Sequence, residues 1–294
     1  MTGPATPRPL EGLGVFVPRT PARGAALLAA LRAAGADPVA APLITIGAPA
    51  DPEPMDAAIA LLAGGGYGWV AVTSTFAVDG LQDAAYRRGL TLGRLVEDGR
   101  AARPGSTLVA AVGDATAAAL ARAGVSADFI PATEQSARGM LADWPSAAPA
   151  APTDGAVLLP QSDLAEPDLA AGLAARGWRP QAVVAYTNSA APALPAALVA
   201  DLASGRLPAI VLTSGSAARR LAEQVAVPAS TLVCCIGPRT AQVAAGLGLA
   251  VSAVASHPNP DAVVAALSAA VGRRGPDPGA GPEPTPTAPP TTPR

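Results

Sequence analysis

An internal repeat constrains the fold of this chain more than any other feature of its sequence. The segment VGDATAAALARAG at 112–124 is matched without a gap by IGPRTAQVAAGLG at 236–248, with identical residues recurring 124 positions later. A second repeat, at an offset of 142, aligns residues 15–38 with residues 157–180. Repeats of this length indicate that one supersecondary unit was used twice.

Both copies consist of alternating strand-like and helix-like segments. Short runs rich in Val, Ile and Leu alternate with Ala- and Leu-rich segments of helical period, as is typical of βα units around a parallel sheet. We therefore predict an α/β fold of two similar domains, each a parallel sheet flanked by helices. The repeats by themselves favour contiguous halves, 12–146 and 154–272. The predicted strands are 15–18, 38–46, 69–73, 108–112, 127–131, 156–160, 181–186, 209–213, 232–236 and 250–255.

Size and charge limit the classes of function. A chain of 294 residues is long enough for two cores, and with 50% hydrophobic but only 3% aromatic residues we expect cores of Ala, Val and Leu. The net charge of −2 offers no basic field for nucleic acid or anionic lipid. All basic residues are arginine, so a single Arg is a weak indication of function.

Targeting and membrane signals are not found in the sequence. Residues 1–12 carry Pro and Gly where a secretory signal would have an apolar core, so we expect a cytoplasmic protein. The longest uncharged run lies between Arg239 and Asp261, but it contains Gly246 and Pro258 and is typical of helix, turn and strand. We expect no membrane span.

The sequence offers little for metal or triad chemistry. Cys234 and Cys235 are adjacent in a strand-like run, where alternation sends their side chains to opposite faces and favours two small buried residues. His257 is the only histidine and lies beside Pro258 in a predicted loop. We therefore expect no metal, no cofactor and no ordinary Ser-His-Asp triad.

Two Thr-Ser pairs stand at equivalent places in the repeat. Thr73-Ser74 and Thr213-Ser214 each follow a predicted strand and precede a predicted helix. In parallel α/β sheets ligands bind at this edge, where hydroxyls and free helix N–H groups meet. Helix capping explains the same residues, and the sequence leaves anion binding and capping both open.

The Gly-x-x-Thr-Ala segments also follow strands and open helices. Glycine permits close backbone approach at Gly113 and Gly237, while Thr116 and Thr240 can cap the helix or donate a hydroxyl. Glycine-rich runs elsewhere precede their strands, whereas a phosphate-binding loop must follow one, so the sequence does not favour a kinase or a Rossmann domain.

Four other side chains are candidates for contact with an anionic ligand or for proton transfer. Arg19 ends the first predicted strand and Arg239 lies in the second Gly-x-x-Thr-Ala loop, whereas Arg219, on a helix, is the weakest candidate. Tyr186 closes the run QAVVAYTN, where a phenol can donate a hydrogen bond or simply pack.

Taken in order, a series of short motifs resembles that of the uroporphyrinogen-III synthases. The resemblance spans residues 12–267, and the order and spacing of the motifs make it specific. The motifs are FVPRT, VTST with a following AV, AVGDATAAAL, DFIP, VLLP, VVAYTN, LTSGSAA and CIGPRTA.

The resemblance implies two α/β domains joined by a two-stranded connection, with strands at 42–46 and 183–187. One domain would combine residues 12–42 with 189–272, and the other would cover 43–188. The Pro-rich residues 275–294 are expected to form a disordered tail, since they cannot bury enough apolar surface.

The resemblance also implies a reaction. Hydroxymethylbilane, a linear tetrapyrrole with eight carboxylates, loses water and closes into uroporphyrinogen III with ring D inverted, without metal or redox chemistry, in a protein expected to be a monomer. Tyr186 would act as general acid on the departing hydroxyl. The implied substrate-binding residues are Arg19, Thr73, Ser74, Gly113, Thr116, Thr213, Ser214, Ser216, Gly237, Arg239 and Thr240.

The sequence departs from the family pattern at two places, and two other functions remain as alternatives to the enzyme. The first motif of the family usually reads Thr-Arg-Pro, but here it is Pro18-Arg19-Thr20, and Gln161-Ser162 stands where a charged residue is common. A non-catalytic relative that senses a tetrapyrrole or another polyacid would show the same cleft. A two-lobed small-molecule binding protein is the alternative from a different class.

Overall fold

Strands and helices alternate along residues 8–145 and 155–274, the part of the chain that this computed structural model describes. The predicted tail at 275–294, like residues 146–153 of the Pro- and Ala-rich stretch, lies outside the described residues. The strands are β1 (Gly14–Val17), β2 (Asp37–Ala40), β3 (Ile44–Gly47), β4 (Trp69–Val72), β5 (Leu108–Ala111), β6 (Ala156–Ser162), β7 (Arg179–Ala190), β8 (Ala209–Leu212), β9 (Leu232–Cys235) and β10 (Val251–Val254). The helices are α1 (Pro21–Ala33), α2 (Glu53–Ala63), α3 (Thr75–Arg87), α4 (Leu92–Ala102), α5 (Asp114–Arg122), α6 (Ala137–Asp143), α7 (Asp168–Ala175), α8 (Ala196–Ala203), α9 (Gly215–Gln224), α10 (Pro238–Gly246) and α11 (Pro260–Arg274).

The first sheet contains strands from both ends of the described chain. Its order is β10-β9-β8-β1-β2, with every neighbouring pair parallel, and with its helices we call it the terminal lobe. Helices α1 and α11 cover one face, and α8, α9 and α10 cover the other. Strand alternation sends Cys234 into the first apolar cluster and Cys235 into the second, where both thiols are buried.

The second sheet is mixed. Its order is β3-β7-β6-β4-β5, and we call it, with its helices, the central lobe; β3 runs antiparallel to β7 while the remaining pairs are parallel. Helices α2 to α5 cover one face, and α6 and α7 cover the other. The α/β fold is as predicted, apart from this antiparallel edge strand.

Four of the few aromatic residues form one cluster in the core of the central lobe. Trp69, Trp144, Trp178 and Phe129 pack together on one face of the central sheet, with ring centroids 5.0 to 6.3 Å apart. The prediction of cores built from Ala, Val and Leu therefore fails for this cluster.

Three predicted strands need correction. The segment 38–46 forms two strands in different sheets, because Pro42 has no N–H to continue a ladder and the chain crosses between lobes at buried Leu43. The segment 127–131 makes a single bridge, from Phe129 to Ala110. The third, β7, extends four residues beyond Tyr186.

The long strand β7 connects the two pairing modes of the central sheet. Its first part pairs in parallel with β6, and its last four residues pair antiparallel with β3, from Thr187 opposite Gly47 to Ala190 opposite Ile44. The antiparallel pair therefore covers 44–47, shifted by one to two residues from the connecting strand expected at 42–46, and 187–190, shifted by three to four residues from the one expected at 183–187. Tyr186 is the last residue before the antiparallel ladder.

Candidate functional site

A cavity of about 670 Å³ lies between the two lobes. Residues that follow β4, β5 and β6 line it from the central lobe, and residues that follow β8, β9 and β10 line it from the terminal lobe. Both sheets thus present their carboxyl edges to one space, which is where open α/β sheets bind ligands. The volume lies within the usual range for small-molecule sites.

Seven of the sequence-predicted site residues line this cavity, and five do not. The lining includes Thr73, Ser74, Tyr186, Thr213, Gly237, Arg239 and Thr240. The residues that fall outside the lining are Arg19, Gly113, Thr116, Ser214 and Ser216.

The serine of each Thr-Ser pair caps a helix. Ser74 caps α3 by accepting the Phe76 N–H at 3.0 Å, and Ser214 caps α9 by accepting the Ala217 N–H at 3.1 Å. The threonine before each serine lines the cavity. Ser74 lines the cavity as well, and its hydroxyl receives a hydrogen bond from Tyr186.

Tyr186 is held on two sides. Its hydroxyl donates to Ser74 Oγ at 3.2 Å, and its ring packs against Phe76 with centroids 5.4 Å apart. Burial raises the pKa of Tyr186, although side-chain hydrogen bonds with Ser74 and Ser162 oppose the change. A phenol with a raised pKa stays protonated at neutral pH and can act as a proton donor.

Arg19 reaches the cavity only through another residue. Its Nε donates to Thr213 Oγ1 at 2.9 Å, and its Nη1 donates to the Arg23 carbonyl at 3.3 Å. Burial, helped by the charge of Arg23, lowers the pKa of Arg19. The structure therefore places Arg19 as a support that orients the Thr213 hydroxyl, rather than in the cavity wall.

Arg23, which the sequence did not single out, bridges the lobes. From α1 it pairs with Asp79 of α3 at 2.7 Å, and its guanidinium lies 4.3 Å from the centroid of the Phe76 ring. Because Phe76 also packs on Tyr186, a continuous set of contacts runs from the terminal lobe to the phenol.

The two copies of the Gly-x-x-Thr-Ala segment have different surroundings. The Gln135 side chain covers Gly113, with its Oε1 accepting the Asp114 N–H at 3.2 Å. At Gly237, by contrast, an added Cβ would meet nothing within 4 Å, so the N-terminus of α10 is open. Both threonines are buried, Thr116 at 3% and Thr240 at 7% exposure.

Ser216 contacts the connection between the lobes. Its Oγ accepts a hydrogen bond from Asn188 Nδ2 of β7 at 3.2 Å. The hydroxyl therefore joins α9 to β7, the strand that contains Tyr186. Ser216 does not line the cavity.

Sequence reasoning missed several polar residues of the lining. Glu166 forms an ion pair with Arg239 from the opposite lobe, and His257 lies in the lining with its Nδ1 3.2 Å from Ser256 Oγ. Glu134 lines it too, and hydrogen bonds from Ser136 and Arg138 lower its pKa. No repeat or strand-end pattern distinguishes these residues; only the single histidine was noticeable beforehand.

Neither a metal-binding cluster nor a membrane-spanning helix is found among the described residues. No three His, Cys, Asp or Glu side chains within 8–145 and 155–274 are grouped so that they could hold a metal ion. Among the helices of those ranges, none has the length and hydropathy to cross a bilayer.

Comparisons with known proteins agree with the motif series. The family model for uroporphyrinogen-III synthase HemD matches residues 25–265. The fold resembles a mutant uroporphyrinogen III synthase of the extremely thermophilic bacterium Thermus thermophilus, with 19% identity over 89% of this chain and 100% of that one, at a TM-score of 0.61. It also resembles the Helicobacter pylori uroporphyrinogen-III synthetase, with 15% identity over 86% and 97% of the chains, at a TM-score of 0.52. Comparison with curated protein sequences gave no significant match. Because the family model covers most of the sequence, the chain belongs to the uroporphyrinogen-III synthase family, the cyclising lyases of tetrapyrrole biosynthesis.

Proposed function

We propose that this chain converts hydroxymethylbilane into uroporphyrinogen III, with inversion of ring D and loss of water. One observation supports this reaction most strongly. The cavity between the carboxyl edges of two sheets is lined by hydroxyl-bearing residues and helix N-termini, and by Tyr186, whose hydroxyl bonds to Ser74 of the same lining. These groups are suited to holding a flexible polyacid beside a single proton donor.

The first task of the protein is to bind the carboxylates of the substrate. We assign them to Thr73 and Thr213, to the open N-terminus of α10 at Gly237, and to Arg239 and Thr240. A helix N-terminus attracts anions through its free N–H groups and its dipole. In this proposal Arg19 acts through Thr213, and the residues outside the cavity lining make no direct contact with the substrate, namely Gly113, Thr116, Ser214 and Ser216.

The second task is to select the ring carbon that is attacked. Binding groups on both lobes fix the two ends of the tetrapyrrole, which turns ring closure into a reaction between pre-oriented partners. Closure without such guidance gives the uninverted isomer. The binding energy is therefore used to bring the substituted carbon of ring D to the reacting end of the chain.

The third task is proton transfer. As the C–O bond of the hydroxymethyl group breaks, Tyr186 donates its proton to the departing oxygen, which leaves as water. Its raised pKa keeps the phenol protonated. Its hydrogen bond to Ser74 Oγ keeps the hydroxyl in place. No other tyrosine among the described residues lines the cavity.

The same proposal covers assembly and location. One chain supplies both walls of the cavity, so a monomer is sufficient for the reaction. The buried, unpaired thiols of Cys234 and Cys235 fit a reducing compartment, and we place the enzyme in the cytoplasm. The net charge of −2 argues against a nucleic-acid partner.

Freshly generated hydroxymethylbilane, with chromatographic separation of the product isomers, tests the proposed function. We expect type III product at a rate above spontaneous closure. Type I alone would reject the enzymatic function. Binding of the tetrapyrrole without type III product would instead favour a non-catalytic sensor.

A further inference from the structure

The cavity lining contains one guanidinium, and that group is already paired. Of the described residues that line the cavity, Arg239 is the sole Arg, and the chain contains no Lys. Arg239 is in the first turn of α10 in the terminal lobe. Its Nη2 forms an ion pair with a carboxylate oxygen of Glu166, in the loop between β6 and α7 of the central lobe.

Acidic groups outnumber this cation in the lining. Glu134, Glu166 and Asp168 all line the cavity, and Glu134 is itself paired with Arg138 at 2.8 Å. A substrate with eight carboxylates therefore meets a wall whose only guanidinium is neutralised by a carboxylate from the opposite lobe. Such a substrate can use Arg239 fully only when Glu166 leaves.

We propose that Glu166 is a built-in counter-ion that occupies Arg239 in the empty cleft and is exchanged for a substrate carboxylate on binding. The inference rests on the proposed function and adds a residue that determines affinity for the polyacid. Glu166 competes with the substrate for the same guanidinium, which can bind a substrate carboxylate through the same kind of charge-assisted hydrogen bond.

The exposure of the pair suits such an exchange. The side chains of Arg239 and Glu166 are 57% and 50% exposed, so water screens their attraction and separation has a low cost. The pair also joins the lobes across the cavity, on a loop and a helix end that belong to different sheets. When a substrate carboxylate replaces Glu166 on Arg239, this contact between the lobes is therefore released.

Three variants test the exchange: Glu166→Gln, Arg239→Gln and the double variant. The measurements are KM and kcat with hydroxymethylbilane, and the Kd of uroporphyrin III, the stable oxidised form of the product, from fluorescence titration. We expect E166Q to lower KM and Kd by about 2- to 5-fold, the range of an exposed ion pair. R239Q should raise both, and in the R239Q background E166Q should have no effect.

Glu223→Gln provides the matched control. Glu223 pairs with Arg220 on the exposed side of α9 and does not line the cavity. Its loss removes one negative charge and one exposed ion pair, as E166Q does, and we expect KM and Kd to stay at the wild-type values.

Two results would overturn the inference. An E166Q variant with unchanged or raised Kd would show that Glu166 does not compete for Arg239. An equal fall in Kd in both backgrounds would show that Glu166 acts by general repulsion and not by exchange. Failure of the proposed function is separate, because a wild-type protein without type III product can still be titrated with uroporphyrin III.

Discussion

The hydroxyl of Tyr186 depends on the residues around it for its position. Ser74 Oγ accepts its hydrogen bond, Phe76 packs on its ring, and Arg23 packs on Phe76 from the other lobe. Ser74 also caps α3, so one side chain fixes both the start of a helix and the direction of the phenol. The proton donor is thus built from short-range contacts at the edge of the sheet.

Replacing Tyr186 by Phe removes the proposed acid and leaves the ring. We expect kcat to fall by about 100-fold, the lower end of general acid catalysis, with little change in thermal stability. Initial rates of type III formation measure the effect. Tyr86→Phe is the control, since Tyr86 is exposed on α3 and outside the lining. Unchanged turnover in Y186F would remove Tyr186 from the mechanism.

The raised pKa of Tyr186 also predicts a pH dependence. A raised pKa keeps the phenol protonated up to a higher pH than an exposed tyrosine, so its ionisation should not lower kcat between about pH 7 and pH 9. The pH profile of Y186F relative to wild type checks this. A loss of kcat in that interval that is seen in wild type and absent from Y186F would contradict it.

Ser74→Ala separates positioning from carboxylate binding. Without the hydroxyl the phenol loses its acceptor, and we expect kcat to fall about 5- to 10-fold while KM changes less than 2-fold, since one hydrogen bond contributes about 1 kcal/mol. A Ser74→Thr variant keeps a hydroxyl at this position and should retain most of the wild-type kcat. Thr91→Ala removes a comparable cap from α4, away from the cavity, and controls for helix stability. A rise in KM alone would assign Ser74 to substrate binding.

At the scale of elements, α3 and β7 pack unusually closely. Gly80 of α3 lies against the Ala185 carbonyl, so that a Cβ at residue 80 would overlap the carbonyl oxygen. Ala185 precedes Tyr186 in β7, and the cap of α3 is the partner of that tyrosine. The separation of these two elements therefore sets the geometry of the proton donor.

Gly80→Ala tests this packing. The added methyl must push α3 away from β7, and we expect a loss of about 1–3 kcal/mol in the free energy of unfolding together with a lower kcat. Chemical denaturation and the type III assay measure the two effects. Gly272→Ala in α11 has open space for its methyl and should be neutral or stabilising. If G80A is as stable as G272A, the close packing has no energetic role.

At the scale of the molecule, chain order and spatial order differ. β1 and β2 lie in one sheet with β8, β9 and β10, while β3 to β7 form the other. We propose domains at 12–42 plus 189–272 and at 43–188. Within the central sheet β6 lies between β7 and β4, so a contiguous half ending at 146 would lack two strands of that sheet.

Fragments of the chain test these boundaries. We expect residues 43–188 alone to unfold cooperatively, because they contain β3 to β6, all of β7 except its last two residues, and both apolar clusters of the central lobe. Residues 12–146 should not, because they lack β6 and β7. Circular dichroism during thermal unfolding distinguishes the two. A cooperative 12–146 fragment would contradict the proposed boundaries.

Local features of this protein could be predicted from the sequence because they depend on neighbours along the chain. The alternation of Val-, Ile- and Leu-rich runs with segments of helical period located nearly all the strands. The Thr-Ser pairs marked the starts of α3 and α9, where each serine caps its helix. The repeat marked equivalent positions in the two lobes. Motif order also identified the family, which the match over residues 25–265 confirms.

Only the tertiary structure decided which of these positions share one cavity. Gly113 and Gly237 are equivalent in the repeat, yet the Gln135 side chain covers Gly113, whereas no neighbour among the described residues covers Gly237. The pairing of Glu166 with Arg239 joins residues 73 positions apart in different lobes, and no local pattern encodes it. The physical reason is that periodicity and capping act over a few residues, whereas contacts across a cleft depend on how the sheets are assembled.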